Sequence, residues 1–149
     1  MIKIERTITI HRPVDEVFAY VSEVEHGPDY TSSQREAHKT SSGPMGIGST
    51  FATSGTFPRR GATFEVTDYE LNQRLAWKAQ SGAQATTTWA FQPSGPSTRV
   101  TFTRVAEAHG LARLAEPLLQ GFANGQVDQD LGTLKELLAV TRNAPAKAW

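Results

Sequence analysis

Isoleucine alternates with polar side chains over the first ten residues, with Ile2, Ile4, Ile8 and Ile10 on one parity. A period of two over that length predicts a strand with one buried face. The period then changes. Val14, Val17, Phe18 and Val21 recur at helical spacing behind Pro13, which suits a first helical turn. Asp15 and Glu16 place negative charge at the positive end of that helix, which is expected to reach about Ser22. Residues 23–33 are polar and contain Gly27 and Pro28, so they predict a broken second helix or a loop. Period two returns in six further stretches. Residues 34–40 are the weakest, being polar. Residues 49–57 carry Phe51 and Phe57 on one face, 61–69 carry Phe64 and Val66, and 74–81 carry Leu75 and Trp77. Residues 85–92 align Thr87, Trp89 and Phe91, and 98–106 align Val100 and Phe102. The joints are short and rich in Gly, Pro, Ser or Asn, as antiparallel hairpins require.

The last third reads as a helix. Leu111, Leu114, Leu118, Phe122, Val127, Leu131, Leu134 and Leu138 suggest one apolar stripe over roughly 30 residues, about 45 Å at 1.5 Å per residue. Pro117 should either kink this helix or mark its true start. Residues 143–149 have no pattern and are expected to fray, leaving one domain over residues 1–142. The order is strand, two short helices, six strands and a long helix: an α+β chain whose curved antiparallel sheet of seven strands wraps around the C-terminal helix. Such a sheet cannot close perfectly over one helix. A ligand cavity is therefore expected between them, lined by Phe51, Phe57, Phe64, Trp77, Trp89, Phe91 and Phe102 from the sheet and by Leu114, Leu118 and Phe122 from the helix. Gly121, Ala123, Gly125 and Gly132 interrupt the helix with small residues, for either open space or close backbone packing.

Composition narrows the partners. Fifteen basic residues balance fifteen acidic ones, which argues against nucleic acid or an anionic membrane surface. The absence of cysteine removes disulfides, thiol nucleophiles and thiolate metal sites. Charges interrupt every apolar stretch near the N-terminus, and no run is long enough to span a bilayer. A cytoplasmic protein with no stable membrane insertion, a monomer or homodimer, is the expectation.

Four segments carry a family resemblance: ITIHRPVDEVFAYVSEVEHGPDY, SSGPMGIGSTF, FEVTDYELNQRLAWK, and TTTWAFQPSGPSTRVTFT followed by LARLAEPLLQGF. Together they resemble the START-like helix-grip superfamily, in particular its polyketide cyclase/dehydrase and lipid-transport branch. The resemblance implies a helix-grip fold and a cavity for a sterol, lipid, polyketide or other apolar ligand, without fixing one reaction. Two positions depart from it: Tyr30 and Ser32 stand where relatives usually carry a tryptophan and a proline. The second strand departs too, since Arg35 and Lys39 flank Ala37. Either that strand is a solvated edge, or a basic residue reaches the cavity to meet an acidic or enolate ligand.

Other motifs weigh less. The stretch GPMGIGST fails as a phosphate loop, because Ser49 stands where the lysine should be and a strand follows. It reads as a turn with positive φ or as a lip of the cavity. His11, His26, His38 and His109 lack ligand spacing, so no metal and no cofactor are expected. No serine sits in a strained elbow. Glu36, Glu65 and Asp68 could pair, but parity turns Glu65 to solvent. The leading reading is a protein that binds a small hydrophobic ligand. The alternatives are a cyclase/dehydratase-type enzyme, with Tyr30, His38 and Arg35 as candidate catalytic groups, and a module that binds a protein partner.

Overall fold

The computed structural model describes residues 1–55, 61–81, 84–107 and 114–148. Strand β1 (Ile2–Ile10) leads into helix α1 (Val14–Ser22), a 3-10 turn (Val24–His26) and the single-turn helix α2 (Gly27–Tyr30). Strands β2 (Gln34–Lys39), β3 (Thr50–Gly55), β4 (Ala62–Glu70), β5 (Arg74–Ala79), β6 (Ala85–Ser94) and β7 (Ser97–Ala106) follow, then helix α3 (Glu116–Ala148). All seven strands form one antiparallel sheet in the order β1-β7-β6-β5-β4-β3-β2. This is the helix-grip architecture that the periodicities predict. The second helix is broken, as expected, and Pro117 marks the start of α3. The helix continues through residues 143–148, where the sequence predicts a frayed tail.

Turn chemistry sets the hairpins. Asn72 takes a positive φ of 62° between β4 and β5, which asparagine tolerates better than most residues. In the GPMGIGST stretch Gly43 and Gly48 adopt φ of 81° and 89°, the turn reading of that motif.

Inner-face residues of the strands meet α1 and the middle of α3. Val17, Phe18 and Val21 pack with Leu75, Phe91 and Val100, and Val127, Leu131, Leu134 and Leu138 close the core from the other side. Phe18 of α1 meets Phe91 of the sheet edge-on at 5.2 Å, and within the sheet Trp89 meets Phe102 at 4.8 Å and Phe51 meets Trp77 at 5.2 Å between centroids.

The stripe on α3 needs correction. Leu114, Leu118 and Phe122 are 82%, 79% and 68% exposed and do not face the sheet. Each residue turns an α-helix by about 100°, so the five-residue step from Phe122 to Val127 carries the pattern about 140° around the axis. The apparent stripe is therefore two stripes on different faces. The half of α3 near its start meets β1 through polar groups instead. The Lys3 backbone N–H donates to Gln120 Oε1, and Gln120 Nε2 donates back to the Lys3 carbonyl. Further along, Arg6 pairs with Asp128 at 2.7 Å.

Candidate functional site

Tyr30 ends α2 and is buried, with its ring edge-on to Trp89 at 6.3 Å. A corner of polar groups holds this helix in place. Tyr20 on α1 donates to Asp29 at 3.1 Å, His26 stacks on Tyr20 at 4.1 Å, and His26 Nε2 lies 2.8 Å from Glu23. The next residues of the chain reach α3, where the Ser32 backbone N–H donates to Asp130 Oδ1 at 3.1 Å. Asp130 is 8% exposed although it is an acid on a core face. From β7, Arg104 donates to the buried Thr87 hydroxyl at 3.3 Å and lies 5.0 Å from the Phe102 ring centroid.

These groups surround a cavity of about 20 Å3 between the sheet and α3, walled by Trp89, Phe102, Val127 and Leu131, with Tyr30, Asp130 and Arg104 supplying the polar atoms. Thr31 and Arg104 also belong to a second, outer recess of about 420 Å3 that runs over Thr53, Phe64, Ala79 and Thr87. The wide apolar cavity anticipated from the sequence is thus mostly filled at its base by aromatic rings.

Electrostatics divides the labour. Burial pushes the Tyr30 phenol well up, with Tyr20 adding to the effect, so Tyr30 is a neutral donor. Burial also raises the Asp130 carboxyl, while its hydrogen bonds from Ser32 and the Arg104 charge pull the other way. Tyr20 is pushed up to about 12 by burial and by Asp29. A neutral phenol, a carboxyl whose ionisation burial disfavours and a permanent cation around one small space can exchange a proton and hold developing negative charge on oxygen.

A family model for polyketide cyclase / dehydrase and lipid transport matches residues 1–139. The chain belongs to this family. Solved structures repeat the fold of this cyclase/dehydrase-family chain at low identity. TTHA0849 from Thermus thermophilus superposes with a TM-score of 0.77 at 18% identity, covering 93% of this chain and 98% of that one. The Zhui aromatase/cyclase from Streptomyces sp. R1128 gives 0.75 at 15%, covering 96% of each. The di-domain ARO/CYC BexL from the BE-7585A biosynthetic pathway gives 0.79 at 17%, covering 96% of this chain and 48% of BexL. No curated protein matches the sequence.

Within this family member, the residues singled out from sequence separate. Tyr30 stands in the site. His38 and Arg35 are exposed on β2, the edge of the sheet, and neither lines the recess, which β2 meets only through Gln34; this is the solvated-edge reading. Phe51, Trp89, Phe91 and Phe102 are buried on the inner face, and Phe64 and Trp77 pack against them half-buried. Phe57 lies outside the described residues, as do Leu111 and His109. Glu65 lies across the sheet from Lys78, and Asp68 pairs with Arg74 at 2.9 Å. Asp130 and Arg104 were missed, although both left a signal. Asp130 follows Val127 by three residues on the helix face that Leu131 and Leu134 bury, and Arg104 shares strand parity with Val100 and Phe102.

Proposed function

We propose that the chain binds a small aromatic or polyketide-type ligand in the outer recess, with its reacting end toward the small cavity between the sheet and α3, and acts on it as a cyclase or dehydratase. The observation that carries this reading is the convergence of three titratable side chains, Tyr30, Asp130 and Arg104, on one space walled by Trp89 and Phe102. A carrier needs only apolar walls, and burying an acid and a cation beside them costs stability. Such groups suit chemistry next to a carbonyl. Asp130 as carboxylate takes a proton from the carbon α to one carbonyl, the enolate carbon adds to a second carbonyl to close the ring, and the alkoxide takes that proton back as the ring alcohol. For dehydration Asp130 takes a second α proton, the C–O bond breaks, and the hydroxide leaves with that proton as water, while the Arg104 charge offsets the negative charge on the enolate oxygen. Family membership and the fold shared with an aromatase/cyclase agree with this reading.

The test is incubation with a β-polyketone thioester mimic, following cyclised and dehydrated products by mass spectrometry. Asp130→Asn is expected to lower turnover by about a hundredfold or more, within the range for loss of an acid/base group, while ligand affinity changes only a few-fold. Tyr30→Phe is expected to lower it less. Tight binding by the wild type with no conversion, matched by Asp130→Asn, would replace this reading with the carrier.

A further inference from the structure

The first half of α3 carries an apolar face that its own sheet does not use. Leu114, Leu118 and Phe122 are largely exposed. At about 100° per residue these three fall with Gly121, Gly125 and Gln129 within roughly 100° of arc, the width of an apolar helix face. Val127 and Leu131, which the core buries, lie about 140–180° around the axis from Phe122, so the arc points away from the sheet. The outer face of a surface helix ordinarily carries charge, yet residues 117–127 include no charged residue at all. The charges that bracket the stretch are engaged with the first strand: Glu116 meets the Met1 amino group at 2.6 Å, and Asp128 meets Arg6. The face is also uneven. Phe122 borders a groove of about 590 Å3 that is lined by Gly121 and Gly125 on the helix and by Ser32 and Ser33 after α2. A Cβ built at either glycine would touch nothing within 4 Å, so the groove is open space and not close packing.

We propose that this face is a two-fold interface with a second copy of the chain, in which Phe122 of each copy enters the groove at Gly121 and Gly125 of the other. A two-fold contact needs knob and hole on a single patch, because the same patch serves both partners. Here both lie within the one arc. The face carries no charge by which an unlike protein would be selected. An anionic lipid surface asks for Lys and Arg beside the apolar residues, whereas the flanking charges are Glu116 and Asp128. Fifteen basic residues against fifteen acidic ones leave no net repulsion between copies. The exposed parts of the three large side chains, with the groove between them, come to on the order of 500 Å2, given about 150–250 Å2 for an aromatic side chain. Two copies therefore bury roughly 1,000 Å2, the lower limit for a specific interface. A contact of that size makes a weak dimer that separates in dilute protein, where unfolding reports on the monomer.

Sedimentation velocity of the full chain over a concentration series reads this directly. The wild type is expected to rise from one chain mass to a plateau at twice that mass, with a midpoint of roughly tens of micromolar. Phe122→Ala removes the knob and Gly125→Leu fills the hole. Each is expected to raise the midpoint at least about tenfold, with the thermal midpoint of dilute protein not lowered. Mixing the two variants in equal amounts is the decisive arm. The phenylalanine kept by one variant then meets the open groove kept by the other, and the shortened and lengthened side chains meet each other, so the dimer returns. A wild type that stays monomeric throughout, or a dimer that both variants leave unchanged, overturns the interface. A mixture that fails to recover the dimer overturns the reciprocal seating of Phe122, and mass that keeps growing past two chains overturns the two-fold arrangement. A monomeric wild type that co-sediments with phosphatidylcholine vesicles, and is released by Phe122→Ala, replaces the second copy with a lipid surface.

Discussion

Asp130 carries a folding cost that its neighbours only partly relieve. Its carboxyl is raised in the folded chain by burial, against the Ser32 N–H and the Arg104 charge. The sign follows directly. Below about pH 4, the ordinary aspartate value, the acid is neutral in both states and costs nothing. As pH rises through the raised folded value, the unfolded chain ionises more readily, and stability is lost. Asp130→Asn keeps an acceptor for Ser32 and removes the charge. It is therefore expected to raise the melting temperature by about 1–3 °C at pH 8 and to leave it unchanged near pH 3, by scanning calorimetry. Asparagine behaving alike at both values would mean that the carboxylate is solvated. A core aspartate and an inward arginine look like surface residues until the helix phase and strand parity are known. His38 and Arg35 drew notice as basic residues on a strand, but the irregular register between Gln34 and Glu36 and the edge position leave them in solvent.

On the scale of elements, α3 is two helices in one. The half that grips the sheet buries Leu134 and Leu138 to 0% and 2% exposure. Leu134→Ala is expected to cost about 2–5 kcal/mol in urea unfolding, the range for a buried leucine. Leu118→Ala, on the exposed half, should stay within about 0.5 kcal/mol. The helical glycines divide the same way from those in the sheet. A Cβ added at Gly121 or Gly125 would meet nothing within 4 Å, so neither close packing nor strain requires them. Gly121→Ala and Gly125→Ala should each stabilise by about 0.5–1 kcal/mol, the helical cost of glycine. Gly61→Ala should destabilise, because its Cβ would sit 2.7 Å from the Thr53 carbonyl. A loss of stability at residue 121 or 125 would indicate that the groove beside Ser32 and Phe122 is occupied in solution. Element order and strand bounds were legible because period two and period 3.6 differ plainly. The phase break in α3 was legible too, in the five-residue gap before Val127, but only to a count of angles and not of apolar residues.

At the scale of the molecule, most of the fold followed from alternation and turn residues, whereas the site did not, because it is assembled from α2, β6, β7 and α3, which no local pattern relates. The cyclase/dehydrase family membership and the shared helix-grip fold account for the frame, and the low identity of the solved relatives leaves the lining to this chain's own residues. The frame has edges at β1 and β2. Exposed Arg35, Glu36 and His38 blunt the second against pairing with another sheet. The first is guarded by α3, through the hydrogen bonds of Gln120 to Lys3. That arrangement bears on how the chain acquires its shape. Ile2 pairs with Ala106, and Arg6 meets Asp128 across 122 residues of sequence. Contacts of such high order slow folding, and refolding followed by tryptophan fluorescence is expected in the millisecond-to-second range, not in microseconds. During synthesis the isoleucine-rich first strand leaves the ribosome with no strand to join and no helix to cover it. Its apolar face stays uncovered until β7 and α3 have emerged, so β1 is open to misassociation while the rest of the sheet is being made.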